Sequence, residues 1–275
     1  MVSIVVHRSS QVKGLSRSTI QRIVDFVSQQ ENQTFIGKLS IAFVEREEAR
    51  KIKKDFFHQD CDTDVISFFY GKNEPDDIWG EIIISPEKAI EQAQEFSMSF
   101  DQEMKLLLIH GLLHLFGYND IEPSERTQME KRQGELLDAF LLVEKRESLV
   151  RSAQIGQHHA YAPYSRFAVG AAIETCDGKV ISGGNIENAS YGLSICAERV
   201  TLFKAISMGY AGFVRMAIIS SDEDYCLPCG ACRQVLHEFA SHLEIVAARH
   251  NGDYRVFTLY DLFPYPFDFN QKKEE

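Results

Sequence analysis

Cys196-Ala-Glu198, followed 31 residues later by Cys229-Gly-Ala-Cys232, is the feature that most restricts how this 275-residue chain can fold. Three thiols and a carboxylate of this spacing form a metal-binding pattern, and a strand-like run, "VRMAIIS", lies between its two halves. Cys196 and Cys229 each stand near the start of a helix-like segment, over 194–208 (stopped by Gly209) and about 230–240. At helix starts free N–H groups and the helix dipole favour thiolates. The alternation of helices and strands here reads as a sheet with helices on its faces. Cys226 offers a fourth thiol for a closed, all-cysteine structural site, whereas three cysteines with an open position for water form the catalytic arrangement. Glu198, two residues from a ligand, can face that water without coordinating, as a proton shuttle must. Three thiolates on Zn²⁺ leave a net negative centre that acidifies water poorly. Arg199 is placed to hydrogen-bond the sulfurs and withdraw charge, with a surface ion pair as its alternative role.

The pattern of elements starts twice. "VSIVVH", "LSIAFV", "DVISFF" and "GEIIIS" read as strands, and 16–30, 45–55, 86–98, 99–116 and 124–143 read as helices. After about Glu147, "SRFAVGAAIET", an Asp177-Gly178 turn and "KVISGGN" read as a hairpin, followed by alternating helices and strands ending in "LEIVAAR". The expectation is an α/β (α+β) protein of two domains, 1–145 and 146–275. They are joined by "LLVEKRESLVRSAQ", which is helix-favouring and free of Gly and Pro. The chain shows no internal repeat, and the charged tail "QKKEE" is expected to fray.

The net charge is −11, with most of the acidic excess in the first 145 residues, which argues against indiscriminate nucleic-acid binding. Arg46, Arg50, Lys51, Lys53 and Lys54 form a local basic cluster, either a solvated helix face or a polyanion contact. The apolar runs are far shorter than the ~20 residues of a bilayer span, and "MVSIVVHRSSQ" lacks the features of a secretion signal. A cytoplasmic protein without a membrane partner is expected, its cysteines kept reduced.

"YAPYSRFAVGAA", "GGNIENASYG", "CAERVTLFKAISMG" and "PCGACRQVLHEF" together resemble the cytidine deaminase family of pyrimidine salvage, from about Tyr161 to the C-terminus. The resemblance implies an α/β/α layered fold and one Zn²⁺ on Cys196, Cys229 and Cys232. It implies Glu198 as the residue that protonates N3 and then the leaving amine of cytidine or deoxycytidine. It also assigns the sugar to Asn185 and Glu187, whose alternative role is loop capping, and a place near the base to Phe167. Phe267 in "LFPYPF" is a candidate for an aromatic reaching a neighbouring subunit, or an ordinary packing residue. A three-cysteine site resembles the homotetrameric branch, so a homo-oligomer, dimer or tetramer, is expected.

"IHGLLHLFGYND" places His110 and His114 one turn apart on a helix that opens at a Ser99-x-x-Gln102 capping box and ends at Gly117. Two imidazoles at i, i+4 with Asp120 beyond the helix end form a second candidate metal site. Gly111 occupies the position at which H-E-x-x-H peptidases carry their base, so peptide hydrolysis is not expected. This stretch, with "DTDVISF", "GEIIIS", Met129 and Glu135, resembles the YbeY family of endoribonucleases acting in rRNA maturation and ribosome quality control. The resemblance implies a mixed sheet with helices, a second zinc-type metal on His110 and His114, and rRNA or the ribosome as partner. Asp120 stands where the family has a third His, and an oxygen ligand admits other divalent ions too. Phe57 stands where it commonly has an Arg, so His58 or the basic cluster is the candidate replacement cation. Thr63, Asp64 and Ser67 are either cleft residues or a turn and strand edge.

Three functional hypotheses follow. The first is a bifunctional fusion of endoribonuclease and deaminase. In the second only the deaminase turns over and the first domain is a metal-stabilised ribosome- or protein-binding module. The third is a polynucleotide-editing deaminase, which the sugar grip and the acidic charge speak against.

Overall fold

Period-two alternation sorts the side chains of "LSIAFV" and "EIII" onto two faces of one sheet. The computed structural model describes residues 3–34, 36–71 and 77–267; the charged tail lies outside them. Strands β1 (Ser3–Arg8), β2 (Lys38–Phe43), β3 (Val65–Phe69) and β4 (Ile78–Ile84) form a sheet of order β1-β2-β4-β3. The first three in that order are parallel, and β3 pairs antiparallel as an edge. Leu39, Ile41, Phe43, Ile82 and Ile84 point to one face, against helices α1 (Arg17–Gln30) and α4 (Phe100–Leu115). Ala42, Ile66 and Ile83 point to the other, against Ala49 and Ile52 of α2 (Arg46–Phe57). Helix α3 (Pro86–Glu95) follows β4.

Helix α4 is buried nearly all round, with Leu108, Ile109, Leu112 and Leu113 fully inaccessible. Each such side chain contributes ~1.5–3 kcal/mol by leaving water, so tertiary packing rather than propensity holds this helix. Ser99 and Gln102 form the expected reciprocal capping box, and Gly117 ends the helix at φ +94°.

Helix α5 differs from the sequence expectation. It runs without a break over Pro123–His158 instead of stopping at Val143, because nothing in "LLVEKRESLVRSAQ" breaks a helix. Met129, Leu136, Leu137 and Phe140 belong to the first core, whereas Leu149, Val150 and Ala153 belong to another. The chain divides into the units Met1–Leu142 and Val143–Glu275 inside this helix.

In the second unit β5 (Val169–Thr175), β6 (Val180–Gly184), β7 (Phe213–Ser220), β8 (Glu244–Ala248) and β9 (Tyr254–Thr258) form a sheet of order β6-β5-β7-β8-β9. Ala171, Ile173, Met216, Ile218 and Ile245 face α6 (Ala197–Ser207) and α7 (Gly230–Phe239). Ala172, Ala217, Ile219, Val246 and Ala248 face the last turns of α5, which completes an α/β/α layering. Strand β9 and the short helix α8 (Leu259–Leu262) escape the sequence reading, since β9 is an edge whose residues are largely exposed or half-buried. The Asn251-Gly252 pair at the β8–β9 turn, with Gly252 at φ +88°, was the available signal.

Candidate metal centres

Cys196 is the N-cap of α6 and Cys229 the N-cap of α7, and neither sulfur is used in a capping bond. Cys232 follows in the first turn of α7 and is fully buried. Both cysteines thus stand at helix starts, as the sequence indicates, and the two N-termini meet. The Cys196 and Cys229 sulfurs lie 3.8 Å apart, and those of Cys229 and Cys232 3.5 Å apart. Tetrahedral zinc with bonds of ~2.3 Å separates its sulfurs by about 3.8 Å, so the cluster fits the ion. Cys226 does not join the group of three, and burial pushes its thiol up to about 12. A hydrogen bond with Cys232 is the chief cause that draws the Cys196 thiol down to about 5, and the same contact pushes the Cys232 thiol up. Arg199 Nη2 lies 3.7 Å from the Cys196 sulfur, as a charge-withdrawing partner requires.

Glu198 is 4% exposed, and desolvation raises its carboxyl to about 7. It lines a cavity of about 300 Å³ together with Cys196, Cys229, Phe167, Asn185 and Glu187. The expected substrate residues therefore meet the sulfur cluster in one place. Their internal bonds are equally plain. Asn185 accepts from Val169 N at 2.9 Å and donates to the Phe167 carbonyl at 3.0 Å. Glu187 accepts from the Ser165 hydroxyl and from the Tyr164 and Ser165 amides, which hold its carboxyl below its usual range, the hydroxyl most. Both thus hold loops as well as facing the cavity. Phe267 does not line this cavity; it is exposed, and its backbone is clasped by Gln234 at 2.8 and 3.0 Å.

The first unit's cluster is built differently. His110 Nε2 and His114 Nε2 lie 3.0 Å apart on one face of α4, and Asp120 Oδ2 is 3.9 Å from His114 Nε2. His110 Nδ1 donates outward to Gln133 Oε1 at 2.8 Å, and His114 Nδ1 to the Tyr118 carbonyl at 3.1 Å. Both Nδ1 protons are thereby fixed, and two Nε2 lone pairs face one another. A cation between them turns that repulsion into ligation. Burial lowers the His114 pKa, reinforced by His110, which favours the neutral imidazole a metal needs. Gln133 was not singled out in the sequence, because only the helix geometry of α5 brings it to His110. Gly111 lacks a base for a steric reason: a Cβ there would lie 2.7 Å from Ile82 Cγ2.

The centre opens on a cleft of about 640 Å³ whose lining includes His114, Asp120, Thr63, Ser67, Phe57 and Lys53. Thr63 and Ser67 line the cleft and are also tied down, to the Val65 and Gly111 carbonyls at 3.1 and 3.2 Å. Asp64 accepts from Val65 N and Gln92 Nε2; it does not line this cleft but lines an adjoining cavity of about 290 Å³ together with His110, Asp120 and Gln133. The candidate replacement cations fare poorly. His58 is the exposed left-handed cap of α2 (φ 57°) and does not line the cleft. Arg46 pairs with Asp62 and Glu91, while Arg50 and Lys54 share Asp60. Of the basic cluster only Lys53 reaches the cleft.

Two units, each gathering three ligand-type side chains at an open cleft, give the chain two candidate metal centres of the kind that hydrolytic metalloproteins use. Residues 5–141 match the family model of Endoribonuclease YbeY, and 143–248 that of the cytidine and deoxycytidylate deaminase zinc-binding region. Over 123 residues the chain is 45% identical to a cytidine deaminase of Halalkalibacterium halodurans, covering 44% of this chain and 93% of that one. Over 139 residues it is 35% identical to Endoribonuclease YbeY of Macrococcus caseolyticus, covering 48% of this chain and 90% of that one. It is also 47% identical to the cytidine deaminase from Burkholderia pseudomallei seen in a crystal structure, over 44% of this chain and 97% of that one, with a TM-score of 0.43. The chain belongs to the YbeY endoribonuclease family through its first part and to the cytidine deaminase family through its second. Among the described residues no helix is long and apolar enough to cross a membrane.

Proposed function

We propose that the protein is a bifunctional enzyme. The second unit deaminates cytidine or deoxycytidine, and the first cleaves single-stranded RNA in rRNA maturation and ribosome quality control. The observation that carries the deaminase half is Glu198, a buried carboxyl beside three sulfurs at zinc spacing, facing the cavity that holds Asn185, Glu187 and Phe167. Zinc held by Cys196, Cys229 and Cys232 supplies the Lewis acidity that makes water a nucleophile near neutral pH. Glu198 takes one proton of the water as its oxygen adds to C4 and delivers it to N3, then takes the remaining proton of the C4 hydroxyl and delivers it to the amine, which leaves as ammonia while uridine remains. Arg199 balances the charge of the sulfurs, and Asn185 and Glu187 face the sugar. Measured ammonia release from cytidine tests this half, with Glu198→Ala expected to abolish it while zinc stays bound.

In the first unit His110, His114 and Asp120 hold a divalent metal, zinc first among the candidates, at the floor of the RNA cleft. Cleavage of single-stranded but not duplex RNA by the metal-loaded chain, lost in His114→Ala, is the expected result. The ion pairs that occupy Arg46, Arg50 and Lys54 favour a second reading, in which this unit is a metal-stabilised ribosome- or protein-binding module. Loss of its fold on metal removal, with no RNA cut under any loading, would decide for that reading.

The reading extends to a homo-oligomer formed through the deaminase unit and to a cytoplasmic setting. Exposed Tyr161, Tyr191 and Leu193 support the first, and six free cysteines the second. Light scattering on the full chain gives the oligomeric state.

A further inference from the structure

Resting on the RNA reading of the first unit, we infer that this cleft grips its RNA by stacking unpaired bases on the ring of Phe57 rather than by pairing cations with phosphates. Phe57 closes helix α2 and lines the same cleft as His114 and Asp120. Its ring is 48% exposed and rests against Phe68 of the edge strand β3, with centroids 5.7 Å apart and planes tilted by 31°. Phe56 braces Phe68 from a second side at 5.2 Å, edge to face, and Tyr70 stacks on it at 6.5 Å and 5°. The result is an aromatic platform held in place before any ligand arrives, beside a candidate metal centre. An exposed, braced ring gains free energy when a flat partner covers it, and a nucleobase is such a partner, of matching size.

The electrostatics point the same way. The carboxylates of Asp60, Asp62 and Glu91 already neutralise Arg46, Arg50 and Lys54. Lys53 lines the cleft with no ion pair among the described residues, and Arg126 lines the adjoining cavity beside His110 and Asp120, so cations offer one or two phosphate contacts near the metal centre. Binding to such a wall has to come from bases, and only unpaired RNA exposes their faces. A duplex keeps them stacked inside. Single-strand selectivity and tolerance of sequence follow from the same ring, because every base has a π-face.

The test uses fluorescence anisotropy with the full chain, an oligouridylate, and an abasic oligoribonucleotide of equal length and charge. The oligouridylate is expected to bind with a salt slope of one to two phosphate contacts, roughly −0.7 to −1.4, and the abasic strand ~5- to 150-fold more weakly. Phe57→Ala should lose the same factor on the oligouridylate and nothing on the abasic strand, whereas Phe57→Trp, which keeps a plane, should restore it. Because Phe57 lies on the surface, a matching thermal unfolding curve shows that Phe57→Ala is folded. Equal binding of the two strands, a steep salt slope, or an undiminished Phe57→Ala overturns the stacking grip while leaving RNA as the ligand. Failure of the wild-type chain to bind either strand overturns the RNA reading together with it and points to a protein partner on this face.

Discussion

The two metal centres solve one problem by opposite routes. The sulfur centre is assembled from the beginnings of two helices, α6 and α7, so backbone N–H groups and helix dipoles help hold negative ligands. The imidazole centre sits in the last turns of a single buried helix, where the negative end of the dipole favours the cation itself rather than anionic ligands, and neutral nitrogens suit it. The sulfur centre therefore needs Arg199 to withdraw charge, whereas the imidazole centre needs Gln133 and the Tyr118 carbonyl to fix protons. The lesson is that ligand chemistry and the local backbone field are matched, and that the supporting residue differs in kind: a cation for thiolates, acceptors for imidazoles.

The comparison can be broken most severely at the proton carrier. Glu198→Gln is expected to slow deamination by ~10²- to 10⁴-fold with the cysteine-bound zinc retained in elemental analysis. An equal loss of metal would mean that Glu198 is a ligand and not a shuttle. At the imidazole centre, Gln133→Ala frees the His110 tautomer and should weaken metal binding ~10- to 100-fold in a chelator competition, leaving deamination untouched. An unchanged affinity would show that the helix alone orients the ring. Gly111→Ala pushes a methyl group against Ile82 and is expected to cost the first unit ~1–3 kcal/mol in denaturant unfolding. The smallest effect belongs to Ser99→Ala, which removes the capping box of the histidine helix and should cost ~0.5–2 kcal/mol. If Gly111→Ala and Ser99→Ala both leave metal affinity at the histidines unaltered, the geometry of that centre is set locally and not by the placement of α4.

What was legible in the sequence was whatever depends on short-range spacing. Cys196 and Cys229 could be placed at helix starts, and His110 and His114 on one helical face, because N-caps and the 3.6-residue period act over a few residues. The strands themselves were legible as short apolar runs rich in β-branched residues. Gln133 was not legible, because its bond to His110 spans two helices and depends on their packing. Nor was the neutralisation of the basic cluster: Arg46 meets Asp62 and Glu91 across separate elements, and nothing local distinguishes it from a free cation. The aromatic platform joins the end of α2 to β3, so it too depends on tertiary placement. The junction "LLVEKRESLVRSAQ" is legible as helix-favouring, but the full length of α5 is not, because the apolar stripe changes partner from the first core to another within the helix.

That helix has a practical consequence for anyone wishing to separate the two activities. A protease needs an extended, yielding backbone, and Pro123–His158 offers a continuous helix where a nickable joint would be expected between two domains. A gene cut at the end of the helix would strip Leu149, Val150 and Ala153 from the second core and leave Ala172, Ala217 and Val246 facing water. A cut a few residues before Phe140 would open the first core instead. The safe window for dissection is therefore a few residues around Leu142 and Val143, and each fragment must carry its own piece of the helix to stay soluble.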